Sequence, residues 1–231
     1  MDSTAQLKSA ILTQNLPPPA SDFLTTLTTS RNPPPPLPSL IATAKARLLA
    51  ADITTSSLID NSTISNLPEP AVQAKEVRLT RPVHVQILDI EDLTRSRWNQ
   101  AEDLEAVERG ETTRGREVIR VRADDNENSS PAAAPSGGAN AMHRLVLQDR
   151  AGKKMFAVEL KRITGIGIGK TCIGEKILLK AGTVVARGTV LLSPETTVLL
   201  GGKIEAWHKA WSEGRLNRLK TAARNGLTDT A

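Results

Sequence analysis

Two groupings of side chains in this 231-residue sequence have the residue types and spacing of a reactive site. The first is Thr164-Gly165-Ile166-Gly167-Ile168-Gly169-Lys170-Thr171. A phosphate-binding loop needs a glycine, four residues, then Gly-Lys-Ser/Thr opening a helix whose amide end faces the phosphates. Here Thr164 stands where the first glycine belongs, and the following CIGEKILLKAG reads as strand. No apolar strand ending in a magnesium-binding Asp follows at a workable distance. The dinucleotide fingerprint fails too, because Lys170 occupies the place of its third glycine. The glycines read as a flexible loop between strands, and the sequence predicts no cofactor.

The second grouping is Asp89, Glu91 and Asp92. Strand alternation places Asp89 and Glu91 on one face, where paired carboxylates can exchange protons with a substrate. No histidine and no second acidic cluster lie nearby in sequence, so ion pairing with Arg95 or Arg97 is the expectation. No nucleophile elbow is present. His84, His143 and His208 lack metal-ligand spacing, and the single cysteine, Cys172, rules out an internal disulfide or a cysteine-based zinc site. No catalytic, cofactor-binding or metal-binding residue is predicted, and the chain is not expected to be an enzyme.

The net charge of +5 is unevenly distributed. Six acidic and six basic side chains cancel between Met1 and Thr80. From Lys203 to Arg224, six basic residues face only Glu205 and Glu213. Within this tail Arg215, Arg218 and Lys220 are candidate nucleic-acid contacts; the other reading is a solvated helix face. The N-terminus has no cationic start followed by an apolar core, and no apolar run approaches the roughly 20 residues that span a bilayer. One cysteine suits a reducing compartment. The expectation is a soluble intracellular protein with no membrane partner.

Residues 1–55 read as short helices broken by prolines. Leu7, Ala10 and Ile11 mark the first. Ser21 or Asp22 can cap a second that carries Phe23, Leu24 and Leu27. Pro33 to Pro36 form a stiff spacer, and a third helix begins near Ser39 with Leu40, Ile41, Ala44, Leu48 and Leu49. Residues 56–80 are an irregular connector. From Arg81 the pattern changes to strand: Val83, Val85 and Ile87 alternate with His84, Gln86 and Leu88.

A polar excursion of about fifty residues, Leu93 to Met142, then separates this strand from the next. Asn99 to Gly110 has the composition of an acidic helix, and Glu117 to Val121 of a strand or turn. Asp124 to Ala141 is low in complexity, so the whole of 93–142 is expected to be a disordered insertion.

Arg144–Asp149 and Met155–Leu160 flank a hairpin turn, with Phe156, Val158 and Leu160 read as the inward face. Short strands follow at 176–180, 183–186, 189–192 and 198–200. Residues 203–231 read as one helix and a basic tail, with Ile204, Trp207, Trp211, Leu216 and Leu219 along one side. The fold class is therefore mainly β with helices: an OB-fold β-barrel over 81–202, with an N-terminal three-helix segment and a C-terminal helix. With no Tyr and two Phe in the chain, such a barrel is poorly equipped to stack bases.

The run VQILDIEDLTRSRWNQAEDLE, then HRLVLQD, then KILLKAGTVVARGTVLLSPETTVLLGGKIEAW resembles the RecQ-mediated genome instability protein 1 family, in its short fungal form. The resemblance covers roughly residues 20 to 212. It implies a nuclear, non-catalytic OB-fold subunit that binds topoisomerase III and a RecQ-family helicase. It also implies that the insertion reaches the topoisomerase's DNA gate, promoting decatenation and double Holliday junction dissolution, with DNA engaged mainly through the complex. At the root of the insertion, Arg95, Arg97 and Trp98 are the candidate protein-binding residues, since Arg and Trp are common interface anchors. The other reading of Trp98 is a core plug beneath the insertion. The rival function is direct binding of single-stranded nucleic acid through the basic tail.

Overall fold

A computed structural model describes residues 3–30, 35–55, 57–60, 62, 64–69, 75–114, 117–120 and 141–228. Three helices come first: α1 (Ser3–Thr13), α2 (Ser21–Thr29) and α3 (Leu37–Ala50). Leu7 and Ile11, then Phe23, Leu24 and Leu27, then Leu40, Ala44 and Leu48 fall at helical spacing, and these faces pack into one apolar cluster. Two start signals differ from expectation. The residue capping α2 is Ala20, and Ser21 already lies inside the helix. Helix α3 starts two residues earlier than Ser39, because extended Pro36 presets the entry and Pro38 lacks an N–H that the first turn would leave unpaired. Pro33 and Pro34 lie outside the described residues.

The connector is less irregular than its Ser/Thr-rich sequence suggests. Ile53 and Ile59 close the helical cluster, while Leu67 and Leu79 belong to the barrel core. Within it β1 (Val77–Arg78) pairs with a later strand. The long strand β2 (Val83–Asp92) follows, then α4 (Arg97–Glu108) and a small hairpin, β3 (Glu111–Arg114) with β4 (Glu117–Arg120). The remaining strands are β5 (His143–Asp149), β6 (Lys154–Glu159), β7 (Lys176–Leu179), β8 (Val184–Ala186), β9 (Thr189–Leu192) and β10 (Thr197–Gly201). Helices α5 (Glu205–Glu213) and α6 (Arg215–Thr228) close the described chain.

Eight strands form one sheet in the order β1-β8-β9-β6-β5-β2-β7-β10. It curls around a core of Val83, Val85, Ile87, Ile90, Leu145, Leu147, Ala157, Ile177 and Leu179, among others. The β6–β9 pairing is parallel and the other pairings are antiparallel. This is the OB-fold expected, with one strand, β1, beyond the seven read from the sequence.

Strand β2 contains a bulge. Ile87 lies opposite Leu147, yet Asp89 lies opposite Val146, so Leu88 is an extra residue. Ile87 and Ile90 both reach the core in consequence, and Asp89 and Glu91 both face out.

Three expectations need correction. On β6 the inward residues are Met155, Ala157 and Glu159, whereas Phe156, Val158 and Leu160 face outward. Both faces of that strand carry apolar residues, and the pairing Leu147–Met155 set by the four-residue turn decides the phase. The C-terminal helix is two helices, parted at Gly214. Residues 97–114 and 117–120 of the insertion are folded rather than disordered, as a helix and a hairpin. The low-complexity stretch 121–140 lies outside the described residues.

A polar junction joins the helical cluster to the barrel. Gln86, fully buried on β2, accepts a hydrogen bond from the Ile53 amide (3.1 Å) and donates to Asp52 (2.7 Å) and to Gln148 (3.0 Å). Gly202 packs so closely on α3 that a methyl group there would lie 2.4 Å from the Leu49 carbonyl oxygen. Beside this junction the ammonium of Lys176 is fully buried and donates to the Gly174 carbonyl (2.5 Å).

Burial pulls the Lys176 pKa down from 10.5 to about 8, with the Asp52 carboxylate opposing. Between those values the unfolded chain holds the extra proton, so stability rises with pH across that window, by up to roughly 3 kcal/mol from this group. Urea unfolding at a series of pH values should show this rise in the parent chain and its loss in Lys176→Met.

Candidate interaction site at the root of the insertion

The insertion leaves β2 and returns to β5 through a narrow neck. The Leu93 amide donates to the Met142 carbonyl at 2.8 Å, closing it. Asp92 turns the chain by accepting from the Thr94 amide (2.8 Å) and hydroxyl (2.6 Å). Ser96 caps α4 by accepting from the Asn99 amide at 3.1 Å. Buried Gln100 donates back to the carbonyls of Asp92 and Arg95, both at 3.0 Å. The helix is thereby fixed to the strand that launches it.

Underneath the neck lies a buried ion cluster. Glu159 accepts from the His143 amide (3.1 Å), the His143 ring Nδ1 (2.7 Å), the Ile163 amide (2.9 Å) and Arg162 (2.8 Å). Burial alone would raise its pKa, but bonds from His143, Ile163 and Arg162 outweigh that and hold the carboxyl below its ordinary value.

On the outer face of β2, β5 and β6 the register places Glu91 beside Arg144 and Asp89 beside Val146, with Val158 and Phe156 next across. Glu91 accepts from Arg97 Nε at 2.8 Å and from Arg144. Burial acts to raise the Glu91 pKa, and the two guanidinium groups hold it below the ordinary value. The Arg144 guanidinium also covers Phe156, 5.0 Å from the ring centre. Beyond the strand ends, Leu93 and Met142 at the neck and Leu160 after β6 continue this face, and all three are exposed. Several exposed apolar side chains beside paired charges suit a protein-binding surface.

The sequence-predicted residues divide between two places. Trp98 is 62% exposed on the first turn of α4, so it is no core plug. Arg95 pairs with Asp103 within α4 at 2.5 Å and steadies the helix. Arg97 reaches Glu91 and lines a cleft of about 250 Å³ that also holds Arg144, Trp211, Arg215 and Arg218. Lys220, a partly exposed side chain, pairs with Glu105 and ties α6 to α4.

The cleft's floor is Asp89, which accepts from Trp211 Nε1 at 2.6 Å. Arg144 was not singled out in the sequence, although its place opposite Glu91 follows once β2 and β5 are paired with the bulge.

The glycine-rich segment is a run of turns, with the Gly167 amide donating to Thr171 (3.0 Å), and leads directly to β7 without the helix a phosphate loop requires. Among the described residues, no three His, Cys, Asp or Glu side chains converge as a metal site would need.

Glu159→Gln should destabilise the protein by about 2–4 kcal/mol, because four donors lose their charged acceptor in a buried site. A carboxylate with a lowered native pKa contributes stability above its ordinary value near 4.5, and that stability fades as pH falls through the lowered value. Denaturant titrations at pH 7 and near pH 4 should therefore show a smaller gap between variant and parent at the lower pH.

Comparison with known proteins places this geometry. Residues 58–215 match the family described as "RMI1, N-terminal OB-fold domain", and residues 11–56 match "RMI1, N-terminal helical domain". The chain is similar to the RecQ-mediated genome instability protein 1 of Schizosaccharomyces pombe, at 31% identity over 174 residues, covering 70% of this chain and 73% of that protein. It is also similar to the protein of the same name from Saccharomyces cerevisiae, at 27% identity over 196 residues, covering 71% of this chain and 79% of that protein. With the barrel and all of the helical cluster from Ile11 onward falling inside those two matched spans, the chain belongs to the RMI1 family.

Proposed function

We propose that this chain is a non-catalytic scaffold and regulatory subunit that works in the nucleus with topoisomerase III and a RecQ-family helicase. Membership of the RMI1 family supports the reading, as does the shared name of both relatives, RecQ-mediated genome instability protein 1. The observation that carries it is the exposure of Leu93 and Met142 at the neck of the insertion, of Phe156 and Leu160 on the neighbouring strand and just after it, and of Trp98 on the first turn of α4.

In this reading the face docks on the topoisomerase, and the insertion, projecting from the neck, meets the enzyme's DNA gate. An insertion shifts an open–closed equilibrium only by touching the two states differently. Because α4 is already folded and braced by Gln100, fewer residues must be ordered on contact, which lowers the entropic cost of that bias. The outcome is promotion of decatenation and double Holliday junction dissolution, with DNA reached mainly through the complex. The rival reading, a basic tail that grips single strands, is weakened by Lys220 pairing with Glu105 and by Arg215 facing Trp211.

Two tests follow. Leu160→Asp and Trp98→Ala lie at exposed positions and should change stability by no more than about 0.5 kcal/mol, while each weakens topoisomerase III binding about tenfold or more in co-purification and titration. Unchanged binding in both would place the docking surface elsewhere. Replacing residues 111–140 with a short Gly-Ser bridge, α4 retained, should preserve docking and slow decatenation. Loss of docking would refute the separation of anchor from insertion.

A further inference from the structure

The cleft between α6 and the outer face of β2 has a charge balance that the docking reading does not use. Arg97, Arg144, Arg215 and Arg218 line it, and the carboxylates in it are Asp89 and Glu91. Both acids are engaged. Asp89 accepts from Trp211 Nε1 (2.6 Å) and from the Ile90 amide (2.8 Å), and Glu91 is shared between Arg97 and Arg144. Arg215 and Arg218 form no ion pair with a carboxylate among the described residues. Their guanidinium groups lie 5.5 and 5.6 Å from the Trp211 ring centre, and Arg218 also donates to the Trp211 carbonyl oxygen at 2.5 Å. Burial first, and then the neighbouring Arg218, pull the Arg215 pKa below its ordinary value against the opposing Asp92 and Asp89 carboxylates.

The lining thus holds a surplus of two positive charges in a pocket of about 250 Å³. We propose that this cleft binds a phosphate monoester carried on a peptide, a phosphoserine or phosphothreonine of a partner protein. A phosphate monoester carries about −1.5 to −2 at neutral pH and three acceptor oxygens, which suits two guanidinium groups that no carboxylate pairs, Arg218 keeping donors beyond the one it gives the Trp211 carbonyl. A carboxylate supplies half that charge.

A nucleic-acid strand fits less well. Its phosphates are single charges spaced along a track, whereas these arginines line one small cleft together with two acids. Its bases also need an open aromatic face, and Trp211 is already flanked by two guanidinium groups. Arg cluster recognition of a phosphorylated peptide needs neither.

The test uses the full chain. A phosphoserine peptide with mixed flanking residues is titrated while tryptophan fluorescence and heat are followed. The comparators are the same peptide unphosphorylated, inorganic phosphate, and a short single-stranded oligonucleotide. The phosphoserine peptide should saturate, and the unphosphorylated one should not bind. Arg218→Gln, at an exposed position, and Arg215→Gln should each weaken binding about tenfold or more, which is the scale of one charge-assisted contact. Melting curves confirm that the variants fold. Absence of saturation, or equal affinity in Arg218→Gln, overturns the assignment. Inorganic phosphate binding as tightly as the peptide reduces the cleft to a small-anion site, and an oligonucleotide that displaces the peptide at lower concentration makes it a nucleic-acid surface. Either result also overturns the proposal.

Discussion

One extra residue in β2 governs most of what this molecule presents to its surroundings. The bulge at Leu88 resets the alternation of the strand, so that Ile90 re-enters the core and Asp89 and Glu91 stay together on the outer face. Without it, strict alternation from Ile87 would turn both Asp89 and Glu91 into the core, at the desolvation cost of burying two carboxylates. With it, one acid orients the Trp211 indole and the other collects Arg97 and Arg144. A backbone irregularity thus becomes a side-chain platform, on which α4, α5 and α6 all converge.

The convergence links parts far apart in the chain. Helix α4 begins the insertion, and α6 lies near the end of the sequence, yet Lys220 meets Glu105 and Leu219 is buried at the edge of the cleft. Trp207 and Trp211 of α5 pack on the barrel core. The stem of the insertion is therefore held from two sides, by Gln100 bonded to the end of β2 and by the terminal helix. Its first helix is bound to the barrel through contacts that are local, several and partly buried.

Much of this could be read from residues alone. The alternation of Val83, Val85 and Ile87 identified the central strand, and helical spacing picked out Leu7, Ile11, Leu40, Ala44 and Leu48 as core. The strands from His143 onward are legible in the same way, and Arg97, read as a candidate contact, lines the cleft. Other features were not legible, for physical reasons. Met155-Phe156-Ala157-Val158 is apolar on both faces, so alternation could not say which side faced in, and Phe156 was assigned to the wrong one. The bulge leaves no mark in composition. β1, two residues long, exists only through its partner β8. The cleft joins residues more than a hundred positions apart, a proximity that no local pattern encodes.

The hydrogen bond between Leu93 and Met142 has a consequence for how such a chain can change. Because the neck is sealed at its base, the barrel does not sense how much polypeptide lies beyond it. Lengthening a flexible excursion costs only about 0.6 kcal/mol per doubling. Distance to a target can therefore be adjusted by adding or removing residues past α4, leaving the cylinder's register and thermal tolerance nearly untouched. Reach and robustness are separate variables in this architecture, and a single amide-to-carbonyl contact keeps them so.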